Sequence, residues 1–92
     1  MLLYAEVEIF LPTCHSLKDK RSILKRIKKR LSQTLNITIA EMDYQDLWQR
    51  TMLAIATVSD SNEINEQVMQ QAFQIIDSFP EVERTLTNVE NR

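Results

Sequence analysis

Residues 1–35, MLLYAEVEIFLPTCHSLKDKRSILKRIKKRLSQTL, change their hydrophobic period once, and that change sets the architecture. From Leu2 to Leu11 the period is two. Leu3, Ala5, Val7, Ile9 and Leu11 fall on one face, and Leu2, Tyr4, Glu6, Glu8 and Phe10 on the other. This is the pattern of a half-buried strand, and Pro12 ends it. Ser16-Leu17-Lys18-Asp19 then reads as a helix start, with the Ser16 hydroxyl accepting from a free backbone N–H and Asp19 favouring the positive end of the helix dipole. Leu17, Leu24, Ile27, Leu31 and Leu35, with Ile23 at the margin, form an apolar stripe at spacings of three, four and seven. Lys20 alone among the basic residues projects inside that sector, so it either snorkels to the rim or meets a carboxylate there.

Beyond this stretch, Asn36 to Met42 reads as a second strand with Ile37 and Ile39 inward, followed by a polar turn at Asp43-Tyr44-Gln45-Asp46. A third strand, about Trp48 to Val58, is apolar on both faces, which makes it central in its sheet or covered by a partner. Asp60-Ser61-Asn62-Glu63 opens a second helix whose buried side is predicted as Ile64, Val68, Ala72, Ile75, Ile76 and Phe79, stopped by Pro80. Val82 to about Val89 is the last strand. The order βαββαβ within residues 1–92 describes a single α+β domain of ferredoxin-like type, a four-stranded antiparallel sheet with two helices on one face.

At 43% hydrophobic and 26% charged the chain can bury a core and is not of disordered composition. Glycine is absent, which excludes phosphate-cradling loops that need its close backbone approach. Cys14 is the only cysteine, so there is no intramolecular disulfide and no Cys-rich zinc cage. Glu6 and Glu8 interrupt the N-terminal apolar run, so neither a signal peptide nor a membrane span is expected, and the chain fits a cytoplasmic setting.

Charge is the conspicuous asymmetry. Lys18, Lys20, Arg21, Lys25, Arg26, Lys28, Lys29 and Arg30 are eight of the eleven basic residues and face the single acid Asp19, a local net of +7. With a chain total of −2, the remainder carries −9. At about 100° per residue, Lys18, Arg21, Lys25, Arg26, Lys28 and Lys29 fan over the side opposite the apolar stripe, with Arg30 at its edge. Solvated helix faces usually mix signs, whereas here Arg21/Lys25, Lys25/Lys28 and Lys25/Lys29 repel. Such a face suits a polyanion.

In the split βαβ order the exit of the first strand and the turn between the second and third share one rim. That brings His15 and Ser16 near Asp43, Gln45, Asp46, Trp48, Gln49 and Arg50, a polar concentration beyond what a hairpin needs. The runs Cys14-His15-Ser16-Leu17-Lys18-Asp19-Lys20-Arg21-Ser22 and Ala40-Glu41 through Asp43 with Gln45-Asp46-Leu47-Trp48-Gln49-Arg50 closely resemble the YlxP-like family of small bacterial proteins, over essentially the whole domain. The resemblance implies a ferredoxin-like fold. It also implies a role at the ribosome or on RNA, since genes of the family often lie beside those of translation initiation and ribosome-maturation factors. Tyr44 stands where many relatives carry histidine.

Two functional classes follow. In the first, a non-enzymatic RNA- or ribosome-associated accessory protein docks on RNA or a ribosomal particle through the basic helix. Trp48 would stack on a base and Arg50 hold a phosphate. In the second, a protein-interaction module forms a homodimer through the open sheet face and offers the helix to an acidic protein. A structural reading of the rim competes with both: Trp48 caps the core, while Asp43 and Asp46 pair with Lys20 and Arg50. Neither catalysis nor metal is expected. The adjacent Cys14 and His15 side chains diverge on an extended segment, and His15, Asp43, Asp46 and Cys14 match no ligand spacing. No cofactor is implied. On the open sheet face Glu6 and Glu8 separate the aromatics Tyr4 and Phe10 and would repel phosphate, so base stacking is not expected there.

Overall fold

A computed structural model describes residues 1–92. The elements are β1 (Leu2–Phe10), α1 (Leu17–Thr34), β2 (Thr38–Asp43), β3 (Arg50–Val58), α2 (Asn62–Asp77) and β4 (Glu83–Asn91). They build one antiparallel sheet in the order β2-β3-β1-β4, the ferredoxin-like arrangement expected, with the apolar faces of both helices on one side of it. The inward set of β1, Leu3, Ala5, Val7 and Ile9, is buried and continues at Leu11. It packs with Leu53 and Ile55 of β3, Leu24, Ile27 and Leu31 of α1, and Met69, Ala72, Phe73 and Ile76 of α2. Each fully buried Leu or Ile contributes about 1.5–3 kcal/mol relative to exposure. A bidentate pair, Arg84 Nε and Nη2 each 2.9 Å from an Asp77 carboxylate oxygen, ties β4 to the end of α2.

Several boundaries differ from the sequence reading. β2 starts at Thr38, after Asn36, whose carbonyl accepts from Thr57 Oγ1 at 2.8 Å. β3 starts at Arg50 and not near Trp48, because residues 44–49 close a turn: Leu47 N–H donates to the Tyr44 carbonyl at 3.0 Å, and Tyr44 adopts a positive φ of 60°. β4 runs on to Asn91, closed by a hydrogen bond from Arg92 N–H to the Leu2 carbonyl at 2.9 Å.

The buried face of α2 is rotated from the predicted one. Ile64 is exposed and Val68 and Ile75 only half-buried, while Asn65, Met69 and Phe73 face inward. Asn65 causes the rotation. Its carbonyl accepts from Ser59 Oγ at 2.7 Å and its amide donates to the Met1 carbonyl at 3.0 Å, so a buried polar side chain satisfies both ends where an apolar-only stripe would place Ile64.

Lys20 is 1% exposed, the largest fully buried side chain in the protein. Its ammonium lies 2.9 Å from Glu41 Oε2 and donates to the Tyr44 carbonyl at 2.6 Å, and the same carboxylate oxygen accepts from Thr51 Oγ1 at 2.6 Å. A carboxylate does meet Lys20, but it is Glu41, not Asp43 or Asp46. Glu41 continues the inward alternation of Ile37 and Ile39, whereas Asp43 turns back to accept from Tyr44 N–H at 2.8 Å.

Removing one member of a buried pair strands its partner's charge, typically at ~3–5 kcal/mol, and the partial exposure of Glu41 puts Lys20→Ala at the low end, about 3 kcal/mol. The double variant Lys20→Met/Glu41→Met should recover much of that loss. Urea denaturation midpoints of the two variants test this, and a Lys20→Ala cost within experimental error of zero would refute the placement of the pair. Asn65→Ala, which removes two buried hydrogen bonds while the Met1 carbonyl keeps the Ser59 N–H and the Ser59 hydroxyl keeps Ser61, should cost ~1–3 kcal/mol in the same assay.

Candidate nucleic-acid interface

The inward side of α1 is set by Lys20, Ile23, Leu24, Ile27 and Leu31, and this decides where every other cation points. On the flank towards β2, Arg21, Lys25, Lys28 and Lys29 line an open groove with Leu24, Ser32 and Glu41. Lys18 falls about 20° from Lys25 around the helix and extends the same flank towards its N-terminal end. All five are exposed except Lys28, which is half-buried. None has a carboxylate within ion-pair distance: the five salt bridges of the molecule are Lys20–Glu41, Arg26–Glu81, Arg50–Glu8, Arg84–Asp77 and Arg92–Glu90. The Glu41 carboxylate that closes the groove is already matched by Lys20. Lys25 and Lys29 stand about 6 Å apart along the axis. At that separation like charges repel by roughly 0.7 kcal/mol in bulk water before salt screening.

The predicted fan is therefore divided. Arg26 leaves it: it pairs with Glu81 and lies 5.9 Å over the Phe79 ring, on the side of α2. The hydrogen bond from Arg26 holds the Glu81 carboxyl below the usual carboxylate range, helped by a backbone N–H, so the pair stays ionised into mild acid. Arg30 also faces α2, beside Gln71, Gln74, Ile75 and Ser78.

The rim assembles as the topology predicts. Leu11 N–H donates to the Gln49 carbonyl at 2.8 Å, and Gln49 Nε2 donates to the carbonyls of Pro12 at 3.2 Å and Cys14 at 3.3 Å. Ser16 Oγ accepts from Asp19 N–H at 3.0 Å and caps α1, and Gln45 Nε2 donates to the Glu41 carbonyl at 3.1 Å. Gln49 thus holds the two loops together, while Ser16, Asp43 and Gln45 shape each loop locally. His15 and Asp46 are exposed and make no side-chain hydrogen bond.

Trp48 and Arg50 belong to the other side of the molecule. Arg50 is bound by Glu8 and stacks 4.2 Å over the Tyr44 ring, so its expected pairing with Asp43 or Asp46 does not form. Trp48 does not cap the core. It is 51% exposed and shares a shallow pocket with Phe10, Asp46, Leu47, Gln49 and Arg50 at the open face of the sheet. Nearby, Tyr4 donates to Glu6 at 3.0 Å beneath Arg92, and burial first, then the Glu6 carboxylate, push its hydroxyl above the usual phenol range. The Cys14 thiol is buried and donates to the Ser16 carbonyl at 3.3 Å. No three His, Cys, Asp or Glu side chains converge as metal ligands, and no helix is long and apolar enough to cross a membrane.

Glu41 and Tyr44 are the partners that sequence reasoning missed. Glu41 had a usable signal, its place two residues beyond the inward Ile39. Tyr44 had none, because it acts through its backbone carbonyl and ring.

Among solved structures the fold is similar to two de novo designed proteins. One is Foldit4, with a TM-score of 0.61 and 14% identity, covering 100% of this chain and 99% of that one. The other has a ferredoxin fold, with a TM-score of 0.60 and 18% identity, covering 100% of this chain and 87% of that one. A C-terminal segment of the alpha subunit of aIF2 from Pyrococcus abyssi also superposes, with a TM-score of 0.60 and 20% identity over 100% of this chain and 52% of that one. At such identities the likeness concerns the fold alone. In sequence, the chain is 47% identical over 90 residues to the uncharacterized protein YlxP of Bacillus subtilis (strain 168), covering 98% of each. The family model described as "Protein of unknown function (DUF503)" matches residues 2–89, and the chain belongs to that family.

Proposed function

We propose that this protein is a non-enzymatic, cytoplasmic RNA-binding accessory that docks on RNA or a ribosomal particle through the β2-side flank of α1. One observation carries the reading. Lys18, Arg21, Lys25, Lys28 and Lys29 share one flank with no acidic partner, in a molecule whose total charge is −2. Acids are available, since the chain has thirteen, yet they pair elsewhere or lie apart from this flank. Mutual repulsion along the helix costs stability, and a polyanion laid over the flank converts that cost into attraction. Binding of this kind positions the protein on the phosphate backbone and does not read sequence.

With about five phosphates neutralised, affinity should fall ~10²–10³-fold between 50 and 200 mM salt. The triple variant Lys25→Glu/Lys28→Glu/Lys29→Glu should lose binding to RNAs of any sequence in a filter-binding assay, and Arg26→Gln, already neutralised by Glu81, should weaken it less than Lys25→Gln. Retention of RNA by the triple variant at low salt would overturn the proposal.

The exposed apolar patch of Phe10, Leu47 and Trp48 favours a second reading, a protein-interaction module that dimerises through the open sheet face. A concentration-independent dimer in sedimentation equilibrium, indifferent to RNA at low salt, would favour it.

A further inference from the structure

Resting on that reading, we infer that the RNA taken by the α1 flank is duplex, bound along its phosphates, and not an unstacked single strand. Six aromatic residues are available for stacking, and none serves the flank. Phe73 and Phe79 are buried. Tyr4 is covered by Arg92, whose guanidinium lies 4.0 Å from the ring centroid, and Tyr44 by Arg50 at 4.2 Å. Phe10 and Trp48 are open, but they stand at the sheet side among the carboxylates of Glu8, Asp46 and Glu83. The groove itself, from Arg21 through Lys25, Lys28 and Lys29 to Ser32 and Glu41, includes no ring. Proteins that hold single strands combine a basic track with aromatic platforms, each stacked base accounting for roughly ten- to a hundredfold in affinity. This flank has the track and lacks the platforms.

Phosphate density points the same way. A duplex presents the phosphates of two strands along one axis, about twice the charge density of a single strand; for B-form DNA this is one charge every ~1.7 Å. The five cations are spread over about 16 Å of helix axis, from Lys18 to Lys29. Their backbone positions are fixed by the buried side of α1, so the array matches a rigid lattice of phosphates without ordering a flexible chain. A-form RNA keeps its major groove too deep and narrow for side chains. The cations therefore meet the duplex at its phosphates and not at base edges in the major groove.

The test uses the full chain with two probes at one low salt concentration. One is a duplex RNA of about 20 base pairs, slightly longer than the ~16 that dedicated duplex-binding domains span. The other is an oligouridine of equal length. Trp48, the only tryptophan, supplies an independent readout through its fluorescence. The duplex should bind at least tenfold tighter than oligouridine, with Trp48 emission unchanged and with Trp48→Phe leaving the affinity intact. Oligouridine binding as tightly, or quenching Trp48, overturns the duplex assignment while the RNA-docking reading stands. Binding of neither probe removes both.

Discussion

The buried ammonium of Lys20 is the constraint from which the surface chemistry follows. Seated between α1 and the sheet, it is matched by Glu41 from β2 and by the Tyr44 carbonyl from the turn beyond it. Desolvating an ammonium costs several kcal/mol, and only close, fully hydrogen-bonded partners offset it. Lys20 therefore fixes the rotation of α1 about its own axis and its approach to the β2 edge. Once Lys20, Leu24, Ile27 and Leu31 point inward, Arg21, Lys25, Lys28 and Lys29 have one place to go, the groove beside β2.

The same turn links the two sides of the molecule. Tyr44 gives its carbonyl to Lys20 under the helix and its ring to Arg50 at the sheet face, where Arg50 is bound by Glu8. Its positive φ, unusual for a residue that is not glycine, is part of this arrangement. Most polar residues of the rim are likewise engaged in structural hydrogen bonds. A cluster that reads in sequence as a candidate ligand site is largely spent on capping α1 through Ser16, holding the turn through Asp43 and Gln45, and joining it through Gln49 to the loop after β1.

What remains outward is divided into regions of different chemistry. The β2-side flank of α1 is cationic, without rings and without acids of its own to pair with. The open sheet face is aromatic at its rim, apolar along β3, and studded with carboxylates. A polyanion suits the first and is repelled from the second.

Local pattern was enough to give the element order, the inward face of β1, the serine cap of the first helix and the meeting of the two loops at one rim. Periodicity and turn chemistry act over a few residues and are visible in one dimension. The partner of Lys20, the rotation of the buried face of α2 towards Asn65, the loss of Arg26 to Glu81 and the separation of Trp48 from the basic flank emerged only when the layers packed. Each depends on a contact between residues distant in the chain: Lys20 with Glu41, Asn65 with Met1, Arg26 with Glu81 and Arg50 with Glu8. A buried polar group takes whichever partner those layers bring within hydrogen-bond reach, and that choice leaves no periodic trace in the sequence.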